Sequence, residues 1–327
     1  TTDQGLPSNE CHRILQDKKG YIWILTDRGL VKFDGYTFRT YGKSKGLTDV
    51  ACINMYFDKN ENIWMSSTNK NLFVYSPVKD TITPYKYNHL LGKYFNKSEL
   101  LYDFYVDSNN TVYCLFTNLP MIKIDSNGNQ TELIKDNNDN YIKVFNIDNR
   151  QLVNYVSKSN NSRNSRINKA NFVKDKSGKI MFLYDHLDIN NTLIRDFKVN
   201  LIYMLKFYYS FHSDHYDILT IFPQTFLFKN NTLIKSENQS MRLVLPTNMG
   251  FFSLNSTTMQ VDFCRNLEGI LDANHLVPIL ENIHPSNALL DRDCDLWVST
   301  LDKGVFRIKL DNMAYFITSF FVSVCPL

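Results

Sequence analysis

Apolar and polar residues alternate over short segments of this chain, and turn-forming residues separate one segment from the next. The clearest series occupies residues 11–41, with four segments: Cys11–Gln16, Tyr21–Thr26, Leu30–Phe33 and Tyr36–Tyr41. They are rich in the aromatic and β-branched residues that are typical of strands. Asp34-Gly35, between the last two segments, is a strong hairpin signal. The pattern predicts a four-stranded antiparallel sheet of about 40 residues, the size of one propeller blade.

The same unit recurs along the chain, marked by an aspartate that a large residue follows six positions later. The marked pairs are Asp17 and Trp23, Asp58 and Trp64, Asp107 and Tyr113, Asp175 and Met181, and Asp291 and Trp297. All 3 tryptophans of the chain occupy this one position. A tryptophan that recurs in mid-strand is expected to pack between blades rather than to stack on a sugar at the surface.

Between Met181 and Trp297 the marker is missing, but segments with strand character continue. Tyr216–Phe228 and Met241–Leu254 each predict two strands. At about 47 residues per unit the 327 residues accommodate seven units, and propellers typically have about 4–8 blades. The prediction is an all-β protein, a seven-bladed β-propeller of four-stranded antiparallel blades that forms a single domain. The predicted blades span residues 9–45, 46–88, 89–136, 137–198, 199–235, 236–280 and 281–327, with residues 1–6 helping to close the ring.

Residues 5–45 closely resemble the two-component regulator propeller repeat. The residues that carry the resemblance are Gly5-Leu6-Pro7-Ser8-Asn9, Gln16-Asp17, Gly20, Ile22-Trp23, Thr26, Gly29-Leu30, Phe33-Asp34-Gly35, Phe38 and Tyr41. The match is good over residues 46–88 and 285–310 and faint over 137–275. The resemblance implies the periplasmic sensor propeller of a hybrid two-component system, as in Bacteroides-type bacteria, which detects a glycan or oligosaccharide.

In that family the propeller precedes a further sensory module, a membrane helix and a histidine kinase with a DNA-binding output. None of these parts follows in this sequence, so the expectation is an excised sensor domain or a truncated member. The resemblance therefore implies a chain without catalytic activity, connected to a membrane only through absent downstream segments. A homodimer is left open.

Charge and cysteine usage exclude several other classes of function. Lys and Arg number 36 against 33 Asp and Glu, and no basic run alternates with aromatics, so nucleic-acid binding is not predicted. The 6 cysteines form no CxxC pair, and Cys11 and Cys52, at equivalent positions of successive units, are expected in the core. The segment 212–217 contains two histidines and two aspartates, which are interpreted as a polar loop. No metal and no cofactor is predicted.

A binding site is expected on the face where the second strand of each blade joins the third and where successive blades are joined. We call this the loop face, because loops on a rigid scaffold commonly carry binding residues. The candidate ligand-binding residues there are Asn9, Glu10, His12, Asp27, Arg28, Asp49, Asn69, Lys70, Asn118, Asp302 and Lys303. Their donors and acceptors suit an oligosaccharide or another polar small ligand. For any single one of them, a solvated loop residue is the more frequent explanation, and the prediction rests on the set as a whole.

Two alternatives use the same face. A propeller-fold carbohydrate-active enzyme, a glycoside hydrolase or lyase, would need two carboxylates about 5–9.5 Å apart, for example Asp27 with Asp49 or Asp302. A protein-interaction platform would instead expose an apolar patch. The sequence contains no GxSxG, P-loop or dinucleotide-binding glycine pattern, and no catalytic residue is predicted.

Overall fold

Strands make up nearly all the regular structure that the computed structural model describes. The described residues are 1–49, 51–92, 101–116, 121–133, 140–147, 150–157, 172–174, 180–182, 207–212, 216–221, 224–230, 232–247 and 249–310. Five antiparallel sheets have four strands each and follow chain order. They comprise β1 (Cys11–Gln16), β2 (Ile22–Thr26), β3 (Gly29–Phe33) and β4 (Phe38–Tyr41); β5 (Cys52–Phe57), β6 (Ile63–Ser67), β7 (Leu72–Ser76) and β8 (Thr81–Pro84); β9 (Leu101–Val106), β10 (Val112–Phe116), β11 (Met121–Ile124) and β12 (Gln130–Leu133); β17 (Phe207–His212), β18 (Tyr216–Ile221), β19 (Gln224–Lys229) and β20 (Thr232–Glu237); and β21 (Met241–Pro246), β22 (Phe251–Asn255), β23 (Gln260–Cys264) and β24 (Val277–Leu280).

The remaining strands form smaller sheets. These are the pairs β13 (Asn140–Ile147) with β14 (Arg150–Ser157) and β15 (Phe172–Lys174) with β16 (Ile180–Phe182), and the three-stranded sheet of β25 (Pro285–Leu290), β26 (Leu296–Thr300) and β27 (Val305–Ile308). The helices are short: 3-10 turns at Thr2–Gln4, Lys43–Lys45, Leu267–Gly269 and Ala273–His275, and α1 at Asn88–Gly92. The all-β class and the four-stranded antiparallel sheets are confirmed. The count of seven blades, their boundaries and the closure of the ring stay predictions.

The first sheet differs from its sequence-based prediction only at strand ends, and side-chain hydrogen bonds explain the difference. Tyr21 lies before β2 because its backbone N–H donates to the Asp17 carboxylate at 2.9 Å. Tyr36 and Thr37 lie before β4 because both backbone N–H groups donate to the Asp34 carboxylate, at 2.9 and 2.7 Å. An aspartate that accepts from the next residues of its own turn holds them in the turn rather than in the ladder.

The first strands of successive sheets lie against one another. Strand β1 contacts β5 on one side and β25 on the other, and β21 contacts β25 and β17. The first and last described sheets are also joined by hydrogen bonds: Ser286 Oγ donates to the Cys11 carbonyl at 2.5 Å, and the Ile14 N–H donates to Asn287 Oδ1 at 3.3 Å. Residues near the N-terminus join this contact, because the Gly304 N–H donates to the Asn9 carbonyl at 2.8 Å.

The recurring aspartate and aromatic residue form one structural device, which we call the aspartate clamp. In the Asp17, Asp58 and Asp291 units, one carboxylate oxygen accepts the backbone N–H groups two and four residues later. The other oxygen accepts the indole N–H six residues later, at 2.8, 3.0 and 2.7 Å respectively. Asp107 repeats the arrangement with the Tyr113 hydroxyl at 3.2 Å. The clamp explains the six-residue spacing, while Asp175 lies outside the described residues.

Each clamped tryptophan is buried, which confirms the predicted packing role. Trp23, Trp64 and Trp297 are 2%, 7% and 6% exposed. Each also packs against a neighbouring sheet. Trp297 lies 6.0 Å from Phe33 and Trp23 lies 4.8 Å from Tyr75, between ring centroids, and Trp64 shares a cluster with residues of β9. The clamp therefore satisfies the indole N–H within its own sheet and leaves the ring free to fill the interface with the next one.

The cysteines behave as the sequence suggests. Cys11 and Cys52 are buried and free, and burial raises the pKa of both thiols to about 12. Cys114 and Cys264 are also buried and free, Cys294 is exposed, and Cys325 lies outside the described residues. Within the described ranges no group of three or more potential metal-ligating side chains converges. No described helix has both the length and the apolar character needed to cross a membrane.

Candidate functional site

The loop face of the first and last sheets brings several predicted residues close together. The loop between β2 and β3 lies beside the N-terminal segment, because the Asp27 N–H donates to the Glu10 carbonyl at 3.2 Å. The loop between β26 and β27 reaches the same segment through the bond from Gly304 to Asn9. His12 Nε2 lies 3.4 Å from a Glu10 carboxylate oxygen. These contacts therefore connect the segments at residues 9–12, 27 and 304.

Asp49 lies on the loop face, where its own sheet already uses its carboxylate. It accepts hydrogen bonds from Ser67 Oγ at 2.9 Å, Asn69 Nδ2 at 3.2 Å and Asn71 Nδ2 at 2.9 Å. Burial alone would raise the pKa of Asp49, but these three hydrogen bonds outweigh it and lower that pKa below its ordinary value. Asp49 thus fastens the segment that joins the first two sheets to the loop between β6 and β7. Its predicted contact with a ligand stays a prediction.

Asp302 plays a similar part in the last sheet. Its two carboxylate oxygens accept the His284 backbone N–H and pair with His284 Nδ1, both at 3.0 Å. Burial opposes ionisation, but the bonds from His284 prevail and lower the pKa of Asp302. Asp49 and Asp302 are thus both held ionised by donors of neighbouring loops. Neither carboxylate has the raised pKa that a general acid requires.

Asp27 and Arg28 differ from Asp49 and Asp302, because a side-chain oxygen of Asp27 has no donor among the described residues and the Arg28 side chain is exposed. The Oδ1 atom of Asp27 is buried and has no hydrogen-bond partner within the part of the chain that the structure describes. A buried acceptor without a donor costs about 1–3 kcal/mol, so such an atom calls for a partner. The neighbouring Arg28 side chain is exposed, while its backbone N–H donates to Thr26 Oγ1 at 3.2 Å. An acceptor and an adjacent cation can together hold a hydroxylated or acidic ligand.

The remaining predicted residues are distributed around this surface. Lys303 is exposed next to Asp302, and Asn69 donates to Asp49 as described. Lys70 adopts a φ of 66°, a left-handed backbone conformation at the tip of its loop. Asn118 lies outside the described residues.

The two described cavities lie elsewhere, between the β17–β20 sheet and the β21–β24 sheet. The turn-side cavity has a volume of about 910 Å³ and opens beside the start of β18, the turn before β22 and the turn after β23. Its lining includes Tyr216, Lys235, Phe251, Arg265, Glu268 and His275. The Glu268 carboxylate accepts from the Tyr216 hydroxyl at 2.8 Å and pairs with Lys229 Nζ at 2.5 Å. These turns lie on the side opposite the loop face.

The rim cavity has a volume of about 540 Å³ and runs along the outer strands of the same two sheets. Its lining includes Lys235, Glu237, Asn255, Gln260, Asp262 and Asp272. None of the residues predicted for binding lines either cavity. Sequence reasoning missed them because the marker repeat is absent here. The one available signal is Asp262, a charged residue between the apolar residues Val261 and Phe263.

Comparison with known proteins adds a family match and a set of related folds. Residues 5–28 match the two-component regulator propeller family, which confirms the resemblance seen in the first repeat. No curated protein matches the chain in sequence. A structure described as the extracellular domain of a one-component system from B. thetaiotaomicron superposes with a TM-score of 0.59 at 14% identity, covering 92% of this chain and 38% of that one.

Two further structures show the same fold. A structure described as the extracellular domain of a hybrid two-component system from B. thetaiotaomicron gives a TM-score of 0.50 at 18% identity, covering 93% of this chain and 40% of the other. Virginiamycin B lyase from Staphylococcus aureus gives 0.55 at 11% identity, with 91% and 94% covered. The chain thus spans less than half the length of the two B. thetaiotaomicron proteins.

Proposed function

We propose that this chain is a non-catalytic sensor propeller of a hybrid two-component system, which binds an oligosaccharide or a related polar ligand in the periplasm. The single observation that carries the proposal is the match of residues 5–28 to the two-component regulator propeller family. Membrane anchoring, kinase activity and gene regulation would then belong to parts of the system other than these 327 residues. The propeller would supply recognition, alone or as a homodimer.

The proposed recognition surface is the loop face around Asp27 and Arg28. Support comes from the buried Asp27 oxygen that lacks a donor and from the exposed guanidinium beside it. A sugar hydroxyl can donate to the first and accept from the second. Asn9 and Glu10 frame this position through their contacts with the loops at 304 and 27. Catalysis is not part of the proposal, because Asp49 and Asp302 are committed to neighbouring donors.

A thermal-shift screen of the chain against an oligosaccharide library tests the proposal. A ligand at a hundred times its dissociation constant adds about 2.7 kcal/mol to the free energy of unfolding, which such a screen detects readily. Absence of any stabilising oligosaccharide would contradict the glycan part of the proposal. Release of a sugar product from a stabilising compound would contradict its non-catalytic part.

The position of the site is tested with Arg28→Ala, using the best ligand of the screen. We expect at least a tenfold loss of affinity, because a hydrogen bond to a charged group contributes about 1.5–3 kcal/mol. Lys19→Ala is the matched control, since Lys19 is an exposed cation in the turn between β1 and β2, on the opposite face. Equal affinity of both variants, measured by titration calorimetry, would place the ligand away from the loop face.

A further inference from the structure

The β21–β24 sheet presents two unlike faces. One face is apolar and packs against the β25–β27 sheet, with Phe252, Leu254, Val261 and Phe263 in a single cluster. Alternate residues of the same strands point the other way, toward β17–β20. Those residues are Phe251, Ser253, Asn255, Gln260, Asp262 and Cys264. The middle of this second face is therefore polar, although it is covered by a neighbouring sheet.

Two polar side chains on this face are buried beside each other. Asp262 is 3% exposed, and it carries a carboxylate. Ser253 is 1% exposed, and its hydroxyl has no partner in the described part of the chain. The two residues are directly opposite each other in the β22–β23 ladder, so their Cβ atoms lie about 4.5–5.5 Å apart. The Asp262 carboxylate and the Ser253 hydroxyl therefore lie side by side on this face of the sheet.

Asp262 lines the rim cavity, which gives a ligand access to it. The cavity volume of about 540 Å³ falls within the range of small-molecule sites. Hydroxyl and amide groups of Asn238, Thr257 and Thr258 also line the cavity, and Leu271, Leu276 and Pro278 supply apolar contact surface. This mixture of a few polar groups with apolar walls is what a sugar ring requires.

The charges around Asp262 decide which ligand fits. Lys235 is paired with Glu237 at 3.5 Å, so its charge is balanced within the cavity. Asp272 is held by its own turn, where it accepts the Asn274 N–H and pairs with His275 at 3.1 Å. Burial, and then the negative charge of Glu281, raise the pKa of Asp262 to about 6. At neutral pH the cavity is therefore acidic, and it repels anions.

We propose that the rim cavity binds an amino sugar, whose ammonium group pairs with the Asp262 carboxylate at the cavity wall. The ammonium donates to the Asp262 carboxylate and neutralises a buried charge. The sugar hydroxyls meet the Thr257–Thr258 side of the cavity. This site is separate from the loop face around Asp27 and Arg28, and it does not depend on the function proposed above.

The test is calorimetric titration of the intact chain with D-glucosamine at about pH 7, where Asp262 is ionised. Asp262→Asn keeps the shape of the side chain but removes its charge. We expect this variant to bind glucosamine at least about tenfold more weakly, as for loss of a hydrogen bond to a charged group. Asp293→Asn, an exposed site in the turn between β25 and β26, is the matched control and should bind as the parent does.

Three further arms sharpen the test. D-glucose and N-acetyl-D-glucosamine lack the ammonium group, and we expect each to bind the parent at least about tenfold more weakly than glucosamine. Ser253→Ala should weaken glucosamine binding less than Asp262→Asn does. Lowering the pH from about 7 to about 5 should weaken binding to the parent more than residual binding to Asp262→Asn. The neighbouring Glu237, Asp272, His275 and Glu281 are present in both proteins, so the difference reports Asp262 alone.

Several outcomes would overturn the proposal. One is equal affinity of the parent and Asp262→Asn for glucosamine, and another is no binding of glucosamine by the parent. Sensitivity of glucosamine binding to Arg28→Ala instead of Asp262→Asn would place the amino sugar on the loop face. The last result would refute the rim site while leaving the proposed sensor function intact, so the two failures can be told apart.

Discussion

Two interfaces between neighbouring sheets of this chain are built on opposite principles. Where β1–β4 meets β25–β27, the contact is apolar and aromatic, with Ile14, Ile24, Val31 and Trp297 buried in one cluster. Where β17–β20 meets β21–β24, apolar packing is confined to part of the contact, and the rest holds two cavities and the buried, unpartnered Ser253 hydroxyl. The first interface serves stability, whereas the second leaves room for a ligand.

The aspartate clamp accounts for much of this difference. In the β25–β27 sheet, Asp291 fixes Trp297 so that its ring fills the contact with the first sheet. In the β21–β24 sheet the corresponding turn is built on Thr247, whose hydroxyl accepts the Met249 and Gly250 N–H groups at 3.2 Å. A threonine hydroxyl organises the turn but offers no second carboxylate oxygen for an indole. Loss of the clamp thus removes both the marker in the sequence and the large ring that it holds.

The largest effect is expected when a clamped ring is removed. Trp297→Ala should lower the free energy of unfolding by about 3–5 kcal/mol, because it leaves a large cavity in an apolar interface. Tyr36→Ala is the control, since Tyr36 is 93% exposed, and it should change stability by no more than about 0.5 kcal/mol. Both variants are compared with the parent by urea unfolding. Equal unfolding curves for Trp297→Ala and the parent would contradict the packing role of the ring.

A smaller loss of stability is expected when the clamp loses its charge but the tryptophan ring remains. Asp291→Asn keeps an acceptor for the backbone N–H groups of Asp293 and Asp295 but can turn an amide toward the Trp297 indole. We expect a loss of about 1–3 kcal/mol, the cost of weakening buried hydrogen bonds to a charged acceptor. Asp293→Asn, two positions later in the same turn, is the control and should leave the free energy of unfolding unchanged. If Asp291→Asn also left it unchanged, the ring and not the clamp would stabilise this interface.

The sequence predicts the clamped sheets well, because each of their signals is local. Alternation, the Asp34-Gly35 turn and the six-residue spacing from Asp17 to Trp23 all act within one hairpin, so reading along the chain recovers them. The role of Asp17 itself was missed. The spacing was used as a marker of the repeat, whereas the hydrogen bond to the indole N–H is what produces it.

The candidate sites could not be predicted to the same extent, because they depend on pairings between distant segments. Ser253 and Asp262 become neighbours only through the register of two strands. The sequence predicts Asp302 as a ligand-binding loop residue, but its partner His284 lies eighteen positions earlier in the chain. A charged loop residue can be identified as available to a ligand only when its neighbours in space are known. The sequence does not supply those neighbours.

The central claim is that the polar interface sacrifices stability at Asp262, and unfolding as a function of pH tests it directly. The folded-state pKa of about 6 exceeds the ordinary 3.8, so protonated Asp262 supports folding below about pH 4, and this support is lost as the pH rises through 6. Asp262→Asn stays neutral throughout. We predict equal stability of the variant and parent near pH 4, and a variant more stable by about 1–3 kcal/mol at pH 7 without ligand. A variant that is less stable than the parent at pH 7 would contradict the account, because Asp262 would then stabilise the fold.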